Sequence, residues 1–237
     1  MGKWFGLDSP LIQVLNKVAD LMWLNILTLI CCIPIFTAGA ALTSAHYVGL
    51  KMLRNEESYI TREFFKAFKM NFKQSTLIWL LILLVTAILV ADYYIMRNTE
   101  TKISEVMQII IMAISILFLF VVVWVFPVQS KFINTIPKTL KNAFALSIIQ
   151  IPKTILMIIL YVLPYVLLYF SLRVFPLVFV FGISAPVFAS ASLYNKMFKK
   201  LEDKIMERLE EENGVKEEDE SEKIFSDAPM FEEDVHS

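Results

Sequence analysis

Residues 106–128 read Val-Met-Gln-Ile-Ile-Ile-Met-Ala-Ile-Ser-Ile-Leu-Phe-Leu-Phe-Val-Val-Val-Trp-Val-Phe-Pro-Val. The stretch carries no charge, and its only polar side chains are Gln108 and Ser115, apart from the indole of Trp124. Wound as an α-helix at about 1.5 Å per residue it is roughly 34 Å long, enough to cross a hydrocarbon core of about 30 Å. It is too long for a strand and lacks strand alternation. A chain in lipid must satisfy its backbone polar groups internally, so the run is a helix.

Four further runs share this character, at 18–45, 77–96, 154–171 and 174–194. The whole chain of 237 residues is 57% hydrophobic and 19% charged. That composition cannot cover a soluble domain of this size with polar surface. It also excludes a disordered chain, a nucleic-acid binder built on net positive charge, and a disulfide scaffold. The expected fold is all-α, a polytopic transmembrane helix bundle of five spans with interfacial amphipathic elbow helices.

Charge placement orients the bundle. Segments 46–76 (Lys51, Arg54, Arg62, Lys66, Lys69, Lys73) and 129–153 (Lys131, Lys138, Lys141, Lys153), with the tail, carry 17 basic residues; the other side carries 5, namely Lys3, Lys17, Arg97, Lys102 and Arg173. Basic residues stay cytoplasmic, so the N-terminus is expected outside and the C-terminus inside the cell membrane. Ser9-Pro10 has the pattern of a helix start. Ala38-Gly39-Ala40 has the small-residue character of a cleavage site. The 37 residues before it are too long for a signal peptide and include Asp8 and Asp20, so the first segment is expected to be retained. A six-span alternative would fold 11–32 and 37–53 as a hairpin. Its turn, Ile33-Pro34-Ile35-Phe36, is wholly apolar, which turn chemistry disfavours.

Segment 61–74 is amphipathic. Arg62, Lys66, Lys69 and Lys73 form one stripe, and Phe64, Phe65, Phe68 and Phe72 another. Such a helix is expected in the interface plane, rings in the acyl boundary and cations toward anionic headgroups. The design recurs at 137–150, where Leu140, Phe144 and Ile148 stand for Phe64, Phe68 and Phe72. Small residues mark two helix-packing ridges, Gly39, Ala41, Ala45 and Gly49, and Ala185, Ala189 and Ser192. Ridges of this kind allow close backbone approach, within the bundle or to a partner helix or second copy.

The run Asn25-Ile-Leu-Thr-Leu-Ile-Cys-Cys-Ile-Pro34-Ile-Phe-Thr37-Ala-Gly39-Ala-Ala, followed by Ser44-Ala45-His46-Tyr47, resembles the N-terminal signature of the YesL-like family. These are small bacterial integral membrane proteins without a known molecular role. The resemblance covers roughly residues 5–200; Ile30 stands where the family pattern has leucine. It implies an accessory role in carbohydrate uptake, with a transporter subunit as partner. The acidic tail is not part of the resemblance.

Chemistry is sparse. His46 and His236 are the two histidines, and no zinc-protease or phosphate-cradling motif occurs. Gly182-Ile183-Ser184 has a superficial likeness to a nucleophile turn, but only His46 is available as base. Cys31 and Cys32 are adjacent within an apolar run and read as small buried residues. No enzyme, metal or cofactor is implied. Polar residues within apolar runs are costly and point to function. Asp20, Asn25 and Asp92, with Glu105 and Gln108 nearby, make an outer polar cluster that would line an outward-facing cavity. A transporter or channel acting by itself is the alternative to an accessory protein. The tail is expected as an amphipathic helix over 196–213 ending at Gly214. A disordered acidic segment over 214–237 is expected next, with Phe225, Met230 and Phe231 as isolated apolar points. Residues 202–237 hold 15 acidic and 4 basic side chains.

Overall fold

The computed structural model describes residues 10–56, 59–98, 102–132 and 134–226. Ser9 and Lys3, as well as Met230 and Phe231 in the tail, lie outside these, and so does the side chain of Glu105. The fold is all-α, with no strand among the described residues. Eight helices follow in order: α1 Pro10–Cys32, α2 Ala38–Arg54, α3 Ile60–Arg97, α4 Lys102–Lys131, α5 Ile136–Ile149, α6 Ile151–Phe170, α7 Phe175–Phe181 and α8 Ser184–Ser226. Four are long and apolar enough to cross a membrane, within α1, α3, α4 and α6. A fifth crossing is available if α7 and α8, bent by 59° at their junction, count as one broken span. The chain is a multi-pass membrane protein.

The single crossing expected over 18–45 is not formed. Pro34 lacks an amide proton, and α1 stops at Cys32. A 3-10 turn over Ile35–Thr37 then reverses the chain into α2. The apolar turn is closed by one side chain: the Thr37 hydroxyl lies 2.6 Å from the Cys31 carbonyl and 2.7 Å from that of Pro34. This occupies carbonyls that a helix end would otherwise leave unpaired in lipid. At the far end Lys17 Nζ donates to Asn55 Oδ1 at 2.7 Å and to the Met52 carbonyl at 3.3 Å. A straight 18–45 crossing would separate Lys17 and Asn55 by the thickness of the bilayer. The observed element is the hairpin that turn chemistry disfavoured, and the start of α1 shares an end with the α2–α3 connection. Asn55 ends α2 in the left-handed region (φ 53°), which asparagine tolerates better than most residues.

α2 is the centre of the bundle. Its small residues Gly39, Ala40, Ala41, Ser44 and Ala45 are buried, and so are Val48 and Met52. It runs antiparallel to the first half of α3, as three contacts along the pair show. Gly39 packs on Ser75 and Trp79. Thr43 Oγ1 and Ser75 Oγ are 2.9 Å apart. Lys51 pairs with Glu63 at 2.8 Å.

The first elbow differs from expectation; the second keeps its expected bounds but not its likeness to the first. α3 passes through Ser75-Thr76-Leu77 as one helix of 38 residues, roughly 57 Å of contour. Phe64 is fully buried among Leu24, Leu27, Ala41, Val48, Met52 and Ile60, with Phe68 packed against that cluster. Phe64 and Phe68 thus meet the α1–α2 hairpin, which takes the place that the sequence reading gave to acyl chains, while Phe65 stays exposed. The second elbow, α5, is separate from α6, broken at Gln150 with Pro152 in the first turn of α6. Its buried face is Thr139, Ala143 and Ser147, whereas Phe144 and Ile148 are exposed. Small residues face inward there because α5 folds back on the end of α4, where Thr139 Oγ1 donates to Gln129 Oε1 at 3.1 Å.

The described residues divide after Tyr194 into two units. In the second, the helical stop expected at Gly214 is absent and α8 continues to Ser226. One glycine costs about 1 kcal/mol in a helix, and the Glu- and Lys-rich sequence around it favours helix.

Candidate functional site

Two polar constellations of the bundle are each built from residues far apart in the chain. The first surrounds Asn25. The junction of α7 and α8 breaks a helix inside the bundle and leaves backbone groups without helical partners. Asn25 is fully buried on α1 and supplies both kinds of partner. Its Oδ1 accepts from the amides of Ile183 at 2.9 Å and Ser184 at 3.0 Å. Its Nδ2 donates to the Phe179 carbonyl at 2.8 Å. One side-chain amide therefore caps the end of α7 and the start of α8 together. The Ser184 hydroxyl beside it is buried without a hydrogen-bond partner.

The second constellation joins α2, α6 and α8. His46 is 3% exposed, and both ring nitrogens are engaged. Nδ1 lies 3.1 Å from the Tyr194 hydroxyl and Nε2 3.2 Å from that of Tyr161. Tyr161 Oη is also 2.9 Å from Ser190 Oγ, and Ser190 donates to the Val187 carbonyl at 2.8 Å. Proton direction follows from that last bond. A carbonyl only accepts, so the Ser190 proton is spent there and Tyr161 must donate to Ser190. Tyr161 then accepts from His46 Nε2–H, and in a neutral ring Nδ1 accepts from Tyr194. For a neutral ring these bonds select the Nε2–H tautomer, within a one-way chain that starts and ends on α8. We expect nitrogen-15 NMR of ring-labelled protein to show that tautomer. His46→Ala takes one hydrogen-bond partner from each of the two phenols and should destabilise the bundle by about 2–4 kcal/mol, read as a lowered unfolding temperature. An Nδ1–H signal would contradict this proton order.

A satellite of the same chemistry ties α4 to α6. The buried Trp124 indole donates to Thr154 Oγ1 at 2.8 Å.

The three residues expected to form an outer polar cluster are not together. Asn25 faces the core, while Asp20 is half-buried on another face of α1. The Trp23 indole donates to Thr61 Oγ1 at 2.8 Å, which fixes that turn of α1 beside the start of α3. Asp92 lies 31 residues farther along α3, about 46 Å of helix. The cavity reading loses its lining. The ridge of Gly39, Ala41, Ala45 and Gly49 is consumed inside the molecule, Gly39 against α3 and Gly49 against Val187. Ala185 and Ala189 line a cavity of about 230 Å³ between α6 and α7–α8. Ser192 is exposed, its hydroxyl 2.6 Å from the Ala189 carbonyl. Arg62, Lys66, Lys69 and Lys73 are exposed along α3, as their stripe implied.

Ser184 has no base beside it, because His46 is held by the two tyrosines. Among the described residues no group of three His, Cys, Asp or Glu side chains is placed to hold a metal. Sequence reasoning missed the His46 chain. Its members are isolated polar residues in apolar runs, His46 lying 115 and 148 positions from the two tyrosines, and no local spacing joins it to them.

A cleft of about 830 Å³ lies between α3 and α4, walled by Ile82, Val90, Ile111, Met112 and Phe118, with Thr86, Gln108 and Ser115 as sparse polar points. The outer faces of both helices here are exposed and apolar, including Leu84, Ile88, Ile109 and Ile116.

Residues 21–93, from within α1 to near the end of α3, match a family described as a protein of unknown function, DUF624. No curated protein and no solved structure matches the chain.

Proposed function

We propose that this chain is a non-catalytic, multi-pass accessory or regulatory subunit of a carbohydrate uptake transporter in the bacterial cytoplasmic membrane, and that it docks through the α3–α4 hairpin. The observation that carries the reading is the contrast between two parts of the bundle. The polar groups of the core are turned on one another, Asn25 on a helix break and His46 on two tyrosines. They present no open polar lining for a passing solute. The α3–α4 hairpin instead presents apolar faces and an unfilled cleft of helical scale. In lipid, apolar area alone does not drive helices together; shape does, and an open cleft leaves packing to be gained. The YesL-like resemblance supplies the class of partner.

The orientation we propose places the α2–α3 and α4–α5 connections and the tail in the cytoplasm, following their basic residues. Lys17 shares an end with Asn55, so the start of α1 joins them on that side rather than lying outside. Purification in mild detergent should recover a transporter membrane subunit in near-stoichiometric amount. Filling the cleft with Thr86→Phe and Ser115→Phe should reduce that recovery at least tenfold while the protein itself purifies as before. Repeated recovery of the chain alone would overturn the proposal.

A further inference from the structure

The first turns of α3 carry a groove of about 550 Å³ lined by Tyr59, Thr61, Arg62, Phe65, Lys66 and Lys69. Three of its six lining side chains are cations, and none is an acid. Among the described residues those three form no ion pair; the acid nearest in sequence, Glu63, is held by Lys51 at 2.8 Å. Tyr59 is 75% exposed and Phe65 is exposed beside it, so the cations stand between aromatic rings open to the surroundings. The groove is also attached to an apolar surface. Thr61 accepts the Trp23 indole proton at 2.8 Å. Past the cations α3 presents Met70, Leu77 and Leu81, all exposed and apolar. A cationic pocket thus leads into a lipid-facing strip, with Trp23 beside it at the level where amphipathic rings settle in a bilayer.

We propose that this groove is a discrete binding site for one anionic glycerophospholipid. Its phosphate is held by Arg62, Lys66 and Lys69, and its acyl chains run on toward the bilayer interior along Met70, Leu77 and Leu81 of α3. A soluble phosphate would use the cations but gain nothing from that apolar stripe, which is why the occupant is assigned as a lipid. The parts of the lipid divide by chemistry. Guanidinium and ammonium groups take the phosphate oxygens, and Tyr59, Phe65 and Trp23 flank the glycerol region. The inference requires only the membrane setting, not the docking role proposed above.

The test is native mass spectrometry of the full chain released from detergent, titrated with dioleoyl phosphatidylglycerol or dioleoyl phosphatidylcholine. We expect one phosphatidylglycerol retained, at least tenfold more tightly than phosphatidylcholine. Each cation at an anionic headgroup is worth about fivefold, so Arg62→Gln/Lys66→Gln/Lys69→Gln should weaken retention by roughly 100-fold. The charge-keeping variant Arg62→Lys/Lys66→Arg/Lys69→Arg should retain most of the binding, and Lys138→Gln/Lys141→Gln on α5 all of it. Equal retention of both lipids would overturn the site, as would full binding by the triple glutamine variant. Equal loss in the α5 variant would mean diffuse attraction and overturn it too. Displacement of the lipid by millimolar inorganic phosphate would overturn the assignment to lipid. All the substituted positions are exposed, and the unfolding temperature of each variant serves as the check that it is folded.

Discussion

Replacing Asn25 by leucine is expected to cost this protein about 3–6 kcal/mol, because three backbone groups at the helix break lose their Asn25 partner at once and each such loss costs about 1–3 kcal/mol where the group is shielded from water. The groups are the Phe179 carbonyl and the amides of Ile183 and Ser184. Leucine is similar in volume, so the change probes the hydrogen bonds more than the packing. Inside a membrane bundle the orphaned groups have no water to turn to. The unfolding temperature in detergent should fall by on the order of 10 °C. Hydrogen exchange at residues 183–185 should accelerate before exchange elsewhere in the bundle. Asn25→Asp should be intermediate: it keeps an acceptor for the two amides and loses the donor to Phe179. An Asn25→Leu protein as stable as the parent would remove Asn25 from its place as the brace of the broken helix.

Gly39→Ala should be nearly as damaging, although it adds one methyl group. A Cβ at Gly39 would lie 2.5 Å from the Ser75 carbonyl oxygen and 2.5 Å from Trp79 Cβ. The first is backbone within a long helix and has no rotamer to escape through. α2 and α3 would have to separate, at the 1–3 kcal/mol or more (about) typical of an overfilled core. The separation would also pull on the Thr43–Ser75 contact at 2.9 Å and on the Trp79 indole, which donates to the Ile35 carbonyl at 2.7 Å. Gly49→Ala is the matched control. Its added Cβ would meet Val187 Cγ1 at 3.1 Å, a side-chain tip that can turn aside, so the cost should stay below about 1 kcal/mol. Thermal unfolding of the two variants side by side decides the matter; equal effects would refute the close α2–α3 approach.

The parts of the fold legible in the sequence are those settled within one segment. The run 106–128 is helical whatever surrounds it, because lipid forces its backbone to pair with itself. The same holds for 77–96 and 154–171, now the second half of α3 and most of α6. The cationic stripe on α3 was legible for a related reason: four exposed charges at helical spacing need no partner to be recognised. The ring stripe on that helix was misread, since period alone says which residues share a face and not what the face meets. Phe64 suits acyl chains and the α1–α2 hairpin equally well, and only assembly chose the hairpin. The correspondence between Phe64, Phe68, Phe72 and Leu140, Phe144, Ile148 failed on the same ground, because α5 turns Thr139, Ala143 and Ser147 inward instead.

The candidate site was less legible than the fold. Asn25 was visible as a polar residue in an apolar run, but its companions were taken to be Asp20 and Asp92 rather than a helix break more than 150 residues away. His46 showed only as a residue at a helix end, and nothing in its neighbourhood names Tyr161 or Tyr194.

The amino-acid order by itself decided that lipid is the solvent, that helices are the elements and where most of them lie. Each of those outcomes depends on interactions within about one helical segment. Tertiary structure decided that Pro34 makes a hairpin rather than a kink, that Asn25 braces α7 and α8, and that His46 closes a chain between two tyrosines. Those depend on groups 38 to 159 positions apart meeting at 2.7–3.2 Å, and no periodicity along a chain encodes a distance across it.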